Sequence, residues 1–199
     1  MVDAIKSEHS VNSLGELTDE TLMYRVQKGD QQAFQYLVKK YLSALHGFAR
    51  RIMNNSHEAE DIVQEAFLRA WNHAEQWQAG RAKLSTWLHS IVYHLCVDNH
   101  RKNKLVTVSF DDSMEDDESS EIPAAPDNLL KEELSFQVEI ALQKLPERQR
   151  TAIALCYYQG LSNIEAAEIL NISVAALESL LARGRRSLRT QLHNYVTGE

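Results

Sequence analysis

The sequence predicts an all-α fold of two small helical domains joined by an acidic flexible linker, with a helix-turn-helix in the second domain. The 199 residues include only three prolines and seven glycines, and strand-like alternation of apolar and polar residues is rare. Apolar residues instead recur at three- and four-residue steps behind residues that favour helix N-termini, which is the pattern of amphipathic helices. Negative charge is concentrated between two such helical blocks, which predicts a boundary there.

The acidic stretch runs from Asp111 to Asp127 and contains eight carboxylates without a single Lys or Arg. The whole chain has a net charge of -7, so the remainder is close to neutral. Overall acidity therefore does not argue against nucleic-acid binding, because the distribution of charge decides which surface meets a polyanion. The predicted organisation is a flexible tail (1–17), a first domain (18–104), the linker (105–128) and a second domain (129–199).

The first domain reads as four helices. Thr18 is placed to cap the first, and Gly29 to end it. Asp30 precedes a longer helix, and Ser56 is placed to cap the third. The long helix carries the apolar residues Ala33, Phe34, Leu37, Val38, Tyr41, Leu42, Leu45, Phe48, Ala49 and Ile52. A fourth helix is expected from about Ser85 to Arg101, after the loop "QWQAGRAK".

The second block also reads as helices with clear start and stop signals. The residues placed at these ends are Pro146, Gly160, Ser162, Asn171 and Ser173. Two small residues, Ala166 and Ala167, suit the close crossing of a helix-turn-helix. At 100° per residue, one outer stripe of the last helix carries Ala176, Ser179, Arg183 and Arg186. An ordinary solvated helix is the alternative, but the capped helix and short turn before it favour DNA binding.

Two segments resemble bacterial RNA polymerase sigma factors of the extracytoplasmic-function type, in the sigma-70 family. "LPERQRTAIALCYYQGLSNIEAAEILNISVAALESLLARGRRSLR" resembles the family's C-terminal DNA-binding domain (region 4). "GDQQAFQYLVKKYLSALHGFARRIMNNSHEAEDIVQEAFLRAW" and "LSTWLHSIVYHLCVDNHRKN" resemble its first conserved domain (region 2). The resemblance implies a dissociable subunit that directs RNA polymerase to promoters and helps melt them, in a stress or envelope response.

A polar stripe on the third helix is the candidate polymerase contact. Asp61, Gln64, Glu65 and Leu68 follow at i, i+3, i+4 and i+7, and so lie on one helix face. Such stripes are often merely solvated. Here "DIVQEAF" resembles the segment that docks on the clamp helices of the largest polymerase subunit, so the resemblance implies that these residues bind there. It also implies that the second domain meets the flap of the second-largest subunit.

The resemblance implies two DNA contacts. The residues expected at the melted minus-10 element are Arg81, Lys83, His94, Arg101, Lys102 and Lys104. Many family members have Asn where this chain has His94, so base preference there is expected to differ. The residues expected at the minus-35 element are Ser162, Ser173, Ser179, Arg183 and Arg186. The family often has basic residues where this chain has Glu178 and Leu180. Glu178 could accept from a cytosine amino group. Leu180 could face a thymine methyl or the core.

No catalytic motif is present, so the chain is not expected to be an enzyme, and no metal or cofactor is expected. His89, His94, Cys96 and His100 read as a chance cluster, since no further ligand-spaced pair completes four ligands. No segment has the length and apolarity of a membrane span or a secretory signal, and two unpaired cysteines suit a reducing compartment. A cytoplasmic protein is therefore expected, with no membrane insertion. The resemblance also implies an anti-sigma factor as a partner, and an acidic linker that threads through polymerase.

Two other functions remain open from the residues alone. The chain could be a dimeric helix-turn-helix regulator that binds duplex DNA without polymerase. It could also be a hydrolase or metalloenzyme, but that rests only on scattered histidines. The basic residues at positions 101 to 104 and the "DIVQEAF" stripe favour the sigma factor, because a sensor domain requires neither.

Overall fold

The computed structural model describes residues 17–53, 55–107 and 129–197, and the regular structure in these ranges is helical. Almost the whole tail and the acidic stretch lie outside the described residues, so their predicted flexibility stays a prediction. The helices of the first domain are α1 (Asp19–Gln27), α2 (Gln31–Met53), α3 (Ser56–Asn72) and α4 (Leu84–Thr107). Those of the second are α5 (Leu129–Gln143), α6 (Glu147–Ile153), α7 (Asn163–Leu170) and α8 (Val174–Thr197).

The first domain is a four-helix arrangement around the apolar face of α2. That helix packs against α1, α3 and α4, and α3 packs against α4. Phe48, Leu45 and Ile52 on α2 are fully buried, as are Leu22 on α1 and Val92 on α4. Burying a large apolar side chain contributes about 1.5–3 kcal/mol, so this shared core holds the helices together.

The predicted capping residues are found at the helix N-termini, with one difference. The Thr18 hydroxyl accepts from the N–H of Thr21, and Asp30 Oδ1 accepts from the N–H groups of Gln32 and Ala33. At α3, however, Asn55 is the cap in place of Ser56. Its Oδ1 accepts from the N–H groups of the second and third helical residues, at 3.0 and 3.2 Å. Asn55 has the extended backbone that a cap requires, and Ser56 is already helical.

Helix α4 is longer than predicted. It continues to Thr107, past the expected helix end at Arg101 and past residue 104, where the sequence analysis places the end of the domain. The segment "RKNKLVT" contains no Gly or Pro, so no strong stop signal ends the helix there. The basic residues that follow Asn99 therefore belong to a regular helix.

The second domain surrounds Leu142, Leu155 and Leu177, all fully buried. Helix α6 runs directly into a π-helical turn at Ala154–Tyr158, where the Gln159 N–H donates to the carbonyl of Ala154. Gly160 follows with φ +65°, a backbone conformation that costs glycine little. The π turn therefore replaces the last turn of an α-helix just before the helix-turn-helix.

The helix-turn-helix consists of α7 and α8, joined at Asn171 in the left-handed conformation (φ 50°). Ser173 caps α8 by accepting from the N–H of Ala176. Helix α8 also lies close to α6. A Cβ added at the buried Gly184 would stand 2.7 Å from Cδ1 of Ile153, so this crossing requires glycine or a local shift.

The two domains pack against each other. Helix α2 contacts α6 and the π turn, while α4 contacts α7. None of the helices in the described part of the chain is both long enough and apolar enough to cross a membrane.

Candidate protein and nucleic-acid interfaces

The stripe on α3 lies on the outer side of that helix. Asp61, Gln64 and Leu68 are exposed, and Leu68 retains 59% of its accessible surface. Glu65 is partly buried and accepts from Arg69 Nε at 2.8 Å. The four residues therefore lie along one side of α3, with Glu65 partly covered, and their role as polymerase contacts stays a prediction.

An apolar groove beside this stripe is a feature that the sequence analysis missed. It has a volume of about 490 Å³ and runs between α2 and α3. Its lining residues are Phe34, Val38, Leu42, His46, Glu60, Val63, Gln64, Phe67 and Leu68. The sequence pattern assigns Leu42 to the apolar face of α2, but the structure leaves it 47% exposed. The sequence did contain an indication of this groove. The apolar face of α2 is too wide for one neighbouring helix to cover completely.

The loop before α4 is held by a buried tryptophan. Trp77 is 5% exposed, and its Nε1–H donates to the carbonyl of Ala82. The amide of Gln27 on α1 donates to the carbonyls of Ala74 and Trp77. These contacts fix the path of the loop and leave the cations Arg81 and Lys83 on its surface.

The predicted minus-10 residues on α4 lie on its exposed side. His94 is exposed, and its Nδ1 lies 2.6 Å from the Ser90 carbonyl. A carbonyl can only accept, so Nδ1 carries the proton and Nε2 can accept from a base. Arg101 and Lys102 are exposed, whereas the side chain of Lys104 lies outside the described residues.

The four His and Cys residues considered for a metal do not assemble. Within the described ranges no three His, Cys, Asp or Glu residues are placed to hold a metal ion. Burial raises the pKa of the Cys96 thiol to about 12, so it is protonated and apolar in character. His89 is also buried, while His94 faces outward.

The outer face of α8 presents the predicted minus-35 residues. Ser173, Ser179, Arg183 and Arg186 are all exposed. Ser179 Oγ donates to the carbonyl of Ala175, and Arg183 Nε donates to the carbonyl of Ser179. Both side chains are therefore held by the carbonyl one turn earlier, while the Nη groups of Arg183 stay free to donate.

Three other residues of this domain are more constrained. Leu180 is partly buried and packs against the core, so of the two roles considered for it the structure favours packing. Glu178 is exposed, with its Oε1 3.5 Å from Asn163 Nδ2. The backbone N–H of Ser162 donates to Glu165 Oε2 at 2.9 Å, and the Ser162 hydroxyl accepts from the backbone N–H of Glu165, which together form a capping box. The same hydroxyl also donates to Glu165 Oε2 at 2.6 Å. Ser162 is therefore already committed to the start of α7.

Glu165 also reaches the first domain, a contact that the sequence analysis missed. Its Oε1 lies 3.1 Å from Lys83 Nζ and accepts from the buried hydroxyl of Thr86 at 3.1 Å. Burial favours a raised pKa for this carboxyl, but hydrogen bonds from Ser162, Lys83 and Thr86 outweigh it and lower the pKa to about 2. The pattern S-x-x-E indicates the capping box. Nothing in the sequence indicates partners 79 residues away.

Further contacts between the domains involve α2. Arg150 Nη2 donates to the carbonyl of Ile52, a group near the end of α2 that has no partner within the helix. Glu139 lies 3.8 Å from both Arg50 and Arg51. The Arg51 guanidinium also lies 3.9 Å from the ring centroid of Tyr158, within range of a cation–π interaction.

His89 contributes a buried polar contact between the domains. It is 3% exposed and packs edge-on against Phe48, at 5.2 Å between ring centroids. Its Nε2 lies 3.2 Å from Gln159 Oε1, and its Nδ1 lies 2.7 Å from the Ser85 carbonyl. Gln159 follows the π turn, so the path of that turn decides where this contact is made.

Comparison with known proteins shows what the chain resembles. Residues 37–106 match the family model for sigma-70 region 2, and residues 135–188 match that for sigma-70 region 4. The chain is 39% identical over 178 residues to the extracytoplasmic-function sigma factor SigW of Bacillus subtilis, covering 85% of this chain and 94% of that one. It is 35% identical over 193 residues to the sigma-E factor of Escherichia coli K12, covering 91% and 97%.

A solved structure shows the same fold. The chain superimposes on CnrH, in a structure of CnrH in complex with the cytosolic domain of CnrY, with a TM-score of 0.65. The two are 27% identical, and the match covers 88% of this chain and 97% of that one.

Proposed function

The chain belongs to the extracytoplasmic-function sigma factors of RNA polymerase, and from that premise we propose which of its surfaces meet polymerase, promoter and regulator. It is a dissociable sigma factor that directs polymerase to promoters. We propose which residues form each of these surfaces. One chain presents an exposed polar and apolar face on α3 and two separate basic surfaces, and this combination is the observation that carries it.

Polymerase binds the face formed by α3 and the groove beside it. Asp61, Gln64, Glu65 and Leu68 give this face its charge and its apolar tip, and the groove adds Leu42 from α2. Exposed apolar side chains next to charged ones are typical of a protein-binding surface rather than a solvated face. The clamp helices of the largest subunit fit this shape, since a helix can lie along a groove between two helices.

The melted minus-10 strand binds the loop and outer side of α4. Arg81, Lys83, Arg101, Lys102 and Lys104 neutralise phosphates, and Nε2 of His94 accepts from a base. Because Trp77 is buried and bonds the carbonyl of Ala82, it fixes the loop that presents Arg81 and Lys83.

Helix α8 binds in the major groove of the minus-35 duplex. Ser173, Ser179, Arg183 and Arg186 face outward, and the free N–H groups at the start of α8 can approach phosphate. Ser162 contributes indirectly, because it caps α7 and so orients the first helix of the helix-turn-helix.

The regulator is an anti-sigma protein. The related CnrH has been solved with the cytosolic domain of CnrY, which supports a protein partner for this chain as well. The chain acts in the cytoplasm, takes no cofactor and carries out no reaction of its own, because nucleotide addition belongs to the polymerase.

A reconstituted transcription assay tests this function. Core polymerase, the chain and candidate promoter fragments should together give transcripts that start at one fixed position, and neither protein alone should do so. Specific duplex binding by a dimer of the free chain, with no polymerase-dependent initiation, would instead support a conventional repressor or activator.

A further inference from the structure

Helix α8 carries a carboxylate among the residues that the proposed function places against the minus-35 duplex. Glu178 is the fifth residue of α8, directly precedes Ser179 and is exposed. In a helix-turn-helix, the N-terminal residues of the second helix are the ones that reach base edges. A carboxylate there is unfavourable unless it meets a hydrogen-bond donor, because phosphates and most groups on the base edges are acceptors.

The helix itself offers no cation to pair with this carboxylate. The positions one turn away on α8 are Val174, Ala175, Leu181 and Ala182, so no ion pair can form at i,i+3 or i,i+4. Ala175 and Ala182 are exposed, and their small side chains leave space beside Glu178. The carboxylate therefore has no charge partner one turn away on its own helix, and a base edge can approach it.

Glu178 does have a partner on the first helix of the motif. Nδ2 of Asn163 donates to Glu178 Oε1 at 3.5 Å. The other end of the Asn163 amide is also held, because its Oδ1 accepts from the Cys156 thiol, with 3.8 Å between sulfur and oxygen. Burial raises the pKa of this thiol, so it keeps its proton and can donate. The thiol therefore determines which end of the amide faces Glu178.

These contacts order the carboxylate before DNA arrives. Asn163 is the first residue of α7, whose start is fixed by the Ser162 capping box. Asn163 holds Oε1 of Glu178, while Oε2 remains available to accept from a base. A side chain that is already ordered loses less conformational entropy on binding, so the contact with DNA is stronger for it.

The donors in the major groove decide which base Glu178 can read. They are the amino groups of cytosine and adenine. Adenine presents its N7 acceptor beside its amino group, and N7 repels a carboxylate, whereas cytosine has no acceptor on its own major-groove edge. A carboxylate at this position therefore favours cytosine over the other three bases.

We propose that Glu178 makes this chain selective for a cytosine in the minus-35 element, and that Asn163 is the positioning residue that holds its carboxylate. This contact rests on the proposed function, because it requires α8 to lie in the major groove. It is distinct from the contacts proposed for Arg183 and Arg186, since a guanidinium donates and a carboxylate accepts.

The test replaces Glu178 with its amide in the full-length chain. Glu178→Gln keeps the shape of the side chain and removes its charge, and glutamine can bond both the amino group and N7 of adenine. Glu168→Gln is the matched control. It makes the same charge change at an exposed position of the same domain, on α7 beside the cleft between the domains. Circular dichroism checks that both variants retain the helix content of wild type.

Binding of the reconstituted holoenzyme is measured by competition among promoter duplexes that carry each of the four base pairs in turn at every minus-35 position. Wild type should favour cytosine at one position by about tenfold. Glu178→Gln should favour adenine there and leave the other positions unchanged, while Glu168→Gln should match wild type. An unchanged base preference in Glu178→Gln would overturn the proposal, even if affinity for every duplex rose, because the carboxylate would then only repel DNA.

Asn163→Ala tests the positioning role. Without the Asn163 amide, the preference for cytosine should fall about threefold, because the carboxylate must then be ordered on binding. Preferences at the other positions should stay those of wild type. In a Glu178→Ala background, where this position should show no preference, Asn163→Ala should have no further effect. A uniform loss of affinity for all duplexes would show that Asn163 is only structural and would overturn its assignment.

The same duplex panel separates this proposal from the proposed function. If wild type showed base preferences in the minus-35 element and no Glu178 variant altered any of them, the cytosine contact would be rejected and α8 would remain the minus-35 helix. If the wild-type holoenzyme showed no preference at any minus-35 position, the assignment of α8 would be rejected, and the cytosine contact with it.

Discussion

At the scale of single residues, the buried His89 is expected to make the stability of the protein depend on pH. Burial lowers the pKa of this imidazole, although its hydrogen bonds to Ser85 and Gln159 act in the opposite direction. Its folded pKa therefore lies below the ordinary value of about 6.5. The unfolded chain takes up the proton first, so the stabilising contribution is complete above about pH 6.5 and is lost as pH falls towards the folded value.

We therefore expect the free energy of unfolding to fall below about pH 6.5 more steeply in wild type than in His89→Gln. Urea titrations at several pH values between about 5 and 8 measure this difference. The same replacement at the exposed His57 should leave the slope of wild type unchanged. Parallel pH profiles for wild type and His89→Gln would show that His89 does not titrate in this range.

Arg183 and Arg186 lie on one stripe of α8 but are expected to act differently. Arg183→Ala should cost about 1–3 kcal/mol of promoter binding and relax preference at one base pair, if it reads guanine. Arg186→Ala should weaken binding to all promoters alike and reduce the salt slope by about one, because it removes a phosphate contact. Salt-titrated binding of the holoenzyme to a promoter panel distinguishes the two. Wild-type binding by both variants would show that this stripe is solvated.

The roles that could be predicted from the sequence are those in which a residue contacts its near neighbours in the chain. Thr18, Asp30 and Ser173 cap helices through N–H groups within three residues, so a short window suffices to predict them. Asn55 and Ser56 could both cap α3, and the backbone conformation decides between them. Glu165 differs, because its second set of partners lies in another domain.

At the scale of elements, α3 is expected to carry the polymerase contact. Replacing Asp61 and Gln64 with Arg should weaken association with core polymerase at least about tenfold, or about 1.4 kcal/mol, while helix content stays intact. A pull-down with core polymerase measures this. The matched control is the pair Glu20→Arg and Gln35→Arg, which makes the same charge change at exposed positions on α1 and α2. Equal retention of both double variants would exclude the α3 face.

The crossing of α6 and α8 should be sensitive to size at Gly184. Leu there would be forced against Ile153, because a Cβ alone already reaches 2.7 Å from its Cδ1 atom. We expect Gly184→Leu to lower the free energy of unfolding by about 1–3 kcal/mol. Ala182→Leu, at an exposed position on the same helix, should change it by less than about 0.5 kcal/mol. Thermal and urea denaturation test this, and a stable Gly184→Leu would mean that the two helices can move apart.

Helix positions were predictable because apolar periodicity and caps are properties of short windows. Periodicity also indicates which helix faces are apolar, but it does not show how much of each face is covered. Leu42 illustrates this, since it continues the stripe of α2 and yet lines an open groove. The end of α4 at Thr107 was missed because no residue there acts as a stop signal.

At the scale of the whole molecule, the acidic linker is expected to act in early RNA synthesis. Replacing its eight carboxylates with Asn or Gln should leave both domains folded but change the ratio of abortive to full-length transcripts. A channel that holds RNA phosphates is positively charged, so it attracts an acidic chain until the transcript displaces it. Transcription assays with short and long products measure the ratio. A shuffled linker with the same charges is the control, and a wild-type ratio for the neutral linker would reduce it to a tether.

How the domains dock could not be predicted from the sequence. The contacts that hold them include single polar groups such as the Glu165 carboxyl, the Arg150 guanidinium and the His89 imidazole. Each has an ordinary role within its own helix, and only the folded chain brings it to its distant partner. The distribution of charge between the domains was readable, whereas the pairing of charges was not.

The number of residues in the π turn at Ala154–Tyr158 determines how the two domains dock. A π turn holds one residue more than an α-helical turn, and a residue advances about 100° around an α-helix. Deleting one residue there would rotate Tyr158 and Gln159 away from Arg51 and His89, although every side chain of the contact would still be present. During divergence from a common ancestor, an insertion or deletion of one residue in this turn would therefore remove both contacts in a single event.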